Sequence, residues 1–405
     1  MRVTERLVGT AALALAPAWR RHLGAGDAFR VIGITGSAGK TTTTRMLAAC
    51  LGTLGPVSHT DRLVGRLNNA QTAARHILAT RRHHRFCLYE MGAGGPGTMQ
   101  PYIDIIRPHV GVVINVAGDH YTAFRGLDET AREKGTLVEA LPADGIAVLN
   151  ADDPRVAAMR TRTRAKVVTY GFDAQEVDVR GSQVSAAWPD RLSLTVEHAG
   201  ETVRVQTQLL GVHTAVAVLA AVTTARALGV PLADAADAIA TVAPADGRCS
   251  VHEADGVTFI RDDWKAPLWS LDATIDLMAR ARAARRILVI GTISDYPGAS
   301  SPKYRAVARR AVAQVDELIF VGPAGHRAHL QDHVPGVTSF DTLETLHTHF
   351  ATHLRAGDLV MLKGSFKADH LQRIVLARTG GVACWRSCGR STSCTDCDLR
   401  FTPGR

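Results

Sequence analysis

The sequence predicts an α/β protein of two main domains, each built on a mostly parallel sheet, followed by a small Cys-rich tail. Three observations carry this prediction. Short apolar, β-branched runs bounded by Gly, Asp or Pro alternate with helical patterns. They read FRVIGIT, FCLYEM, VGVVINV, GIAVLN and KVVTYGF before residue 245, then VTFIRDD, RRILVIGT, ELIFVGP and DLVMLKGS after it. Strands apolar on both faces belong to sheets covered on both sides, the habit of parallel sheets. The chain is 405 residues long with 46% hydrophobic residues, which suits two or three domains with real cores and excludes wholesale disorder. Four of the seven cysteines, Cys384, Cys388, Cys394 and Cys397, crowd the C-terminus, unlike the spread pattern of a secreted disulfide scaffold.

Residues 1–28 read as an amphipathic helix, closing with Arg20, Arg21 and His22. A charged start and small residues at Ala14, Ala16 and Ala18 also give a loose likeness to a signal peptide. Residues 29–245 form the first α/β domain. Within it, 177–207 alternate apolar and polar residues with turn signals at Pro189-Asp190 and Ala199-Gly200, which predicts antiparallel strands before a helix at 213–228. Residues 246–380 form the second α/β domain, with a helix over Tyr304–Gln314, and 381–405 form the tail. No apolar run reaches the ~18 residues of a membrane span. The longest, near 209–228, is broken by Gly211, His213 and Arg226. The net charge of +9 fits either an Arg-rich proteome or a surface that attracts anionic substrates. Aromatic residues are only 5% and no basic run is interleaved with rings, which argues against nucleic acid as a partner.

The strongest motif is VIGITGSAGKTTTT, residues 31–44. A strand enters a turn, Gly36-Ser37-Ala38-Gly39, and Lys40-Thr41-Thr42 opens a helix. Small residues let backbone N–H groups approach phosphate oxygens, and the helix N-terminus adds positive potential. In such a P-loop Lys40 bridges phosphates and Thr41 holds Mg²⁺. The strict spacing would put Gly where Ile34 stands. A nucleotide site of this kind favours a helix over a signal peptide for 1–28, and a cytoplasmic protein.

G-x-x-G-K-T-T after an apolar strand resembles the Mur ligase family, ATP-dependent enzymes that join a carboxylate to an amine. Later segments follow in the family's order. Tyr89-Glu90-Met91-Gly92-Ala93 with Pro96-Gly97 resembles the E-M-G-A…P-G segment of the MurF branch. Asn115 to His120 is followed by Arg132-Glu133-Lys134-Gly135, and Asn150-Ala151-Asp152-Asp153 resembles the N-x-D-D segment near the nucleotide. The resemblance implies Mg²⁺ ligation by Glu90 and His120, and by Lys134 carried as a carbamate, whose oxygens are hard donors that an amine lacks. It places Asn150 and Asp152 near the nucleotide. In the adenine segment Gly211 and His213 are kept, but Thr214 and Ala217 stand at the two Asn positions, which alters base recognition.

The likeness continues to about residue 380, so it implies a P-loop central domain and a Rossmann-like C-terminal domain. Arg248, in Asp246-Gly247-Arg248, matches the Arg that contacts the transferring phosphate. Asp262-Asp263-Trp264-Lys265-Ala266 lacks the Tyr-Asn core of the MurF branch and looks more like the MurD branch, where Asp263 would face the ribose and Lys265 a phosphate. The Lys363-Gly364-Ser365 segment resembles one late in MurF, and Asp295 and Tyr296 lie in a Gly-rich loop that could meet the acceptor. Only 28 residues precede the first strand, too few for the family's UDP-sugar-binding domain, so the expected acid is something other than UDP-MurNAc-tripeptide.

The tail spacing, Cys384-x₃-Cys388-x₅-Cys394-x₂-Cys397, can surround a tetrahedral Zn²⁺, with free thiols or disulfides as alternatives; a closed site would anchor the tail or bind a protein partner. The resulting expectation is an amide ligase using ATP and Mg²⁺. Its rivals are a MurT-like subunit of a glutamine-dependent amidotransferase, a simple P-loop kinase or NTPase, and a nucleotide-binding scaffold without catalysis.

Overall fold

The computed structural model describes residues 2–24, 29–60, 69–118 and 123–403, with backbone alone at 2–8, 327 and 331. It divides into two compact units: Met1–Ser185, Leu192–Gln208 and Val212–Ala243, and then Ala186–Arg191, Leu209–Gly211 and Pro244–Arg405. Among the described residues no helix is long and apolar enough to cross a membrane.

The first unit runs α1 (Arg2–Leu23), β1 (Arg30–Thr35), α2 (Lys40–Gly52), β2 (Val57–His59), α3 (Ala70–Ala79), β3 (Phe86–Met91), α4 (Gln100–Ile106), β4 (Val110–Val113), α5 (Leu127–Glu139), β5 (Ile146–Asn150), α6 (Pro154–Ala157), β6 (Lys166–Gly171), β7 (Val179–Ser185), β8 (Ser193–His198), β9 (Glu201–Gln206), α7 (Ala215–Ala227) and α8 (Leu232–Ala240). Its sheet has the order β2-β3-β1-β4-β5-β6-β7-β8-β9. Pairings are parallel as far as β6–β7, and β7–β8–β9 form the antiparallel end expected from 177–207. The apolar runs are buried on both faces because helices cover both. On one face Val31, Cys87 and Tyr89 join a core with Ala12, Ala16, Ile77 and Ile103 of α1, α3 and α4, while Ile32, Ile34, Leu88, Val112 and Val148 turn to the other face and are fully buried there. Further along the first face Val113, Ala147 and Leu149 pack with Val138 of α5.

Helix α1 is tied down by its polar residues as well. Arg20 is 5% exposed and donates to the carbonyls of Ile106 (2.7 Å) and Arg107 (2.9 Å) at the end of α4. A cation is favourable at that end, where carbonyls lack helical partners. Trp19 donates its indole N–H to the Thr80 carbonyl at 2.9 Å.

The second unit runs β10 (Ser250–Ala254), β11 (Val257–Asp262), α9 (Leu271–Arg280), β12 (Arg285–Ile290), α10 (Ser300–Ala311), β13 (Glu317–Val321), α11 (Pro323–Arg327), α12 (Leu330–His333), β14 (Val337–Phe340), α13 (Leu343–His353), β15 (Asp358–Lys363), α14 (Phe366–Asp369) and α15 (Gln372–Thr379). Its sheet order is β10-β11-β15-β12-β13-β14, parallel except for the β10–β11 hairpin. Successive strand residues part between two cores, as a period of two demands. Ile260, Leu288, Ile290, Leu318, Phe320 and Met361 go to one; Phe259, Ile287, Val289, Ile319 and Val360 go to the other. The fold is thus the α/β class that the apolar runs predict. Strands β2, β10 and β14 are additions that those runs do not announce.

Candidate active site

In the first unit, β1 delivers the chain to Gly36 and α2 opens at Lys40. Gly39 takes φ 83°, a left-handed geometry that side chains resist. A Cβ there would stand 3.2 Å from the Ala217 Cβ, so the loop lies directly on α7. The loop is shaped by the segment after β4. The Asn115 side-chain oxygen accepts from the Ala38 N–H at 2.9 Å, and the Asn115 carbonyl from the Ser37 N–H at 3.1 Å. The Ser37 hydroxyl donates to the Ala117 carbonyl at 3.1 Å and accepts from the Ala117 N–H at 2.8 Å. Lys40 folds its Nζ back to the Gly36 carbonyl at 2.5 Å.

Thr41 and Thr42 form the first turn of α2. The Thr41 hydroxyl donates to Glu90 Oε2 at 3.1 Å, and Glu90 stands at the end of β3 beside β1. A hydroxyl and a carboxylate in contact, beside a cradle of backbone N–H groups, form the hard-oxygen pair that Mg²⁺ takes. The residues present therefore fit a magnesium nucleotide.

Lys134, on α5, is completely buried. Its neighbour Glu133, 8% exposed, accepts from the N–H groups of Gly97 (2.8 Å) and Met99 (2.7 Å), and so holds the loop that follows β3. His120 lies outside the described residues. Asn150 and Asp152 are engaged with backbone. Asn150 donates to the Ile114 carbonyl at 2.9 Å and accepts from the Asp152 N–H at 3.0 Å. Asp152 accepts from the N–H groups of Phe172, Asp173 and Ala174 at 2.6, 3.0 and 2.8 Å. Asp153 caps α6 and accepts from the Val116 N–H at 2.7 Å. These groups position the strand ends around the loop. His213 is exposed on a short turn before α7, and Ala217 is buried with its carbonyl accepting from Thr43 at 3.1 Å.

In the second unit the sequence-selected residues collect at the C-terminal ends of the parallel strands. That edge is where open α/β sheets bind ligands. Gly247 takes φ 71° and presents Arg248, whose guanidinium lies 5.5 Å from the centroid of the Trp264 ring. Asp263 does not face outward as the resemblance implies. It is 1% exposed and paired with Arg261, NH2 to Oδ1 at 3.1 Å. Burial raises its pKa, against the pull of Arg261. Arg261 also reaches Asp246 at 2.7 Å, so one buried cation fastens the turn before Arg248 to the loop that carries Lys265. Lys265 pairs with Asp295 at 3.0 Å. Lys363 pairs with Asp262 at 2.6 Å. Asp369 accepts from the Thr292 N–H (2.8 Å), the Thr292 hydroxyl (2.6 Å) and the Ser365 N–H (2.6 Å), joining the loops after β12 and β15.

Glu133, Arg261 and Asp369 are positioning groups that no sequence motif marks by itself. Glu133 stands next to Lys134 in the 132–135 segment. Arg261 and Asp369 each have one near partner, Asp263 and Ser365, but the bonds that join separate loops, to Asp246 and to Thr292, are distant in sequence.

All four tail cysteines are free thiols and line one small cavity with His370. Cys388 Sγ is 3.3 Å from His370 Nε2, and Cys394 Sγ is 3.5 Å from its Nδ1. Burial, then Arg373, pulls the His370 pKa down to about 4.

A phosphate-binding loop on one parallel sheet, with basic and acidic loops on the ends of a second, defines the class of P-loop nucleotide-binding α/β proteins. Residues 34–225 match the Mur ligase middle domain, and 247–366 match the Mur ligase, glutamate ligase domain. The chain is 30% identical over 394 residues to the UDP-N-acetylmuramoyl-tripeptide–D-alanyl-D-alanine ligase of Mycobacterium leprae, covering 88% of this chain and 74% of that one. The chain belongs to the Mur ligase family. It is 33% identical over 322 residues to the enzyme of the same name from Mycobacterium bovis, covering 77% of this chain and spanning 62% of that relative's length. The fold matches MurF from Thermotoga maritima in complex with ADP, with a TM-score of 0.76 and 22% identity, over 91% of this chain and 82% of that one.

Proposed function

We propose that the protein is an ATP-dependent ligase that activates a carboxylate as an acyl phosphate for attack by an amine. The observation that carries this reading is the Gly36–Thr42 loop with Thr41 hydrogen-bonded to Glu90. The carboxylate takes the γ-phosphoryl group of ATP and releases ADP. The amine nitrogen then attacks the acyl carbon, loses a proton, and expels phosphate to leave the amide. Lys40 and Arg248 would carry the phosphoryl charge, and Lys265 would hold a phosphate once it leaves Asp295. Thr41 and Glu90 would hold one Mg²⁺, and His120 with carbamylated Lys134 a second; bound there, the ions spread the charge of the phosphates. Backbone at 36–39 and His213 would hold the nucleotide. Asn150, Asp152 and Asp263 act one step back, on the loops that carry these groups. Such chemistry depends on positioning and electrostatics, and suits a cytoplasmic enzyme supplied with ATP.

The relatives' name favours D-alanyl-D-alanine as the amine and a UDP-MurNAc-peptide as the acid. The test is ADP release from purified protein with MgATP. The arms are each acid alone, each amine alone, and each pair, including UDP-MurNAc-tripeptide with D-alanyl-D-alanine. ADP formed only when acid and amine are both present is the expected result. ADP formed without an acceptor would favour an NTPase. ADP formed only with a glutaminase and glutamine would favour the amidotransferase reading, and none with any pair would favour a scaffold.

The tail is read as a zinc site, because its four thiols converge with a neutral His370. Stoichiometric zinc, with the thiols protected from alkylation, is the expected result. Metal-free protein with four reactive tail thiols would refute the reading, and would leave the tail to act through free thiols.

A further inference from the structure

Another part of the second unit gathers metal-ligating side chains away from every group discussed above. Helix α13 carries His349 and His353 four residues apart, so both rings leave the same face. The rings stack with centroids 4.3 Å apart at 27°. Glu317, the first residue of β13, brings Oε2 to 2.7 Å from His353 Nε2. One donor atom from each of the three lies within 4.8 Å of the others, and all three residues are half-buried. The set sits where β12, β13 and β15 begin, the opposite edge of the sheet from Asp262, Lys363 and Asp369.

Two features point to a cation. His349 Nε2 is buried and has no hydrogen-bond partner among the described residues. His353 Nε2 stands 2.7 Å from the Glu317 carboxylate and 3.2 Å from Arg285 NH1. A single imidazole nitrogen either donates or accepts. Donating to Glu317 leaves the Arg285 N–H facing a nitrogen with no lone pair to accept it. Accepting from Arg285 turns its lone pair toward a carboxylate oxygen. A divalent ion that takes both atoms as ligands satisfies both lone pairs, once nitrogen and oxygen part from 2.7 Å to the roughly 3.3 Å of a tetrahedral site. Arg285 does not depend on that contact: it pairs with Asp358 through two bonds, 3.0 and 2.6 Å, and donates to the His353 carbonyl at 2.9 Å. Its charge also lies 3.7 Å from Glu317, which tempers the affinity.

We propose that Glu317, His349 and His353 form a binding site for a first-row divalent cation of the Zn²⁺ type. Two imidazoles and one carboxylate are a borderline donor set that suits zinc, cobalt or nickel, with water in the remaining position. The ion would cross-link α13 to β13 and stabilise the second unit. The site stands independently of the ligase reading.

The test uses the full chain, stripped with chelator and titrated with Co²⁺ while absorbance and bound metal are followed. Cobalt on the tail thiols carries a thiolate charge-transfer band in the near ultraviolet; cobalt on two imidazoles and a carboxylate does not. The expected result is one equivalent of cobalt without that band. It survives Cys394→Ser and is lost in His353→Gln and in Glu317→Gln. Zn²⁺ at a hundredfold excess over Kd should also raise Tm by about 5 °C in the wild-type chain, and not in those two variants. Unchanged stoichiometry in the near-isosteric Glu317→Gln, or a thiolate band on every bound cobalt, or no cobalt bound by the wild type, would each overturn the proposal.

Discussion

Removing the Asp263 carboxylate would strand the Arg261 guanidinium in the interior, with Asp246 as its remaining partner. Breaking a buried pair from one side costs about 3 kcal/mol. Asp263→Ala should therefore lower the unfolding free energy by about that amount in urea denaturation. A raised KM for ATP with unchanged stability would instead return Asp263 to the ribose. The segment Asp262-Asp263-Trp264-Lys265 shows a loop rich in charge, but not which charge turns inward. That is set by Arg261 on β11, which alternation directs to the same side. At Lys134 the prediction is on activity: Lys134→Ala should reduce amide formation by at least about a hundredfold, as for other losses of transition-state charge stabilisation. Full ADP release in that variant would remove Lys134 from the reaction. The motif order singles out Lys134, and its burial suits a constrained group rather than a solvated helix residue.

Helices and strands were legible where their pattern was long. The nine apolar runs all became strands, because a central parallel strand must be apolar on both faces. Strands β2 and β14 were not legible: they are three and four residues long and lie at sheet edges, where one flank has no partner to impose a pattern. Two histidines of the first unit give a pH prediction. His76 on α3 is held at about 4 by burial and then by His59. His109, before β4, is held at about 4 by burial, Arg20 and Arg30. An unfolded histidine takes up its proton near pH 6.5, so between about 6.5 and 4 the unfolded chain binds more protons. This contribution to stability is whole above 6.5 and is lost as pH falls toward 4. Urea midpoints at pH 7, 5.5 and 4.5 should fall in that order, and His76→Gln should flatten the slope. An equal slope in the variant would contradict the assignment. At the start of α2, Gly39→Ala forces a left-handed residue against Ala217 and should cost about 1–2 kcal/mol, weakening nucleotide binding with it. Nucleotide-monitored thermal shift checks both effects, and unchanged binding would show that the loop tolerates a Cβ.

At the scale of the molecule, each unit presents the side chains proposed for the reaction at the C-terminal ends of parallel strands. Lys40, Thr41 and Glu90 do so on one sheet, and Arg248, Lys265 and Lys363 on the loops of the other. That much was visible in the sequence, since a P-loop needs a strand before it and a helix after it. The supports were not visible. Asn115, Glu133, Asp152 and Asp369 accept from the backbone N–H groups of Ala38, Met99, Phe172 and Thr292, all distant in sequence, and no local spacing records such bonds. The central claim is that these parts join an acid to an amine at the expense of ATP. The most direct measurement is ADP release by the purified chain with MgATP and paired acid and amine, each also supplied alone. ADP in equal amount to amide product, and only with both present, is the predicted result. ADP release that ignores the amine would contradict it.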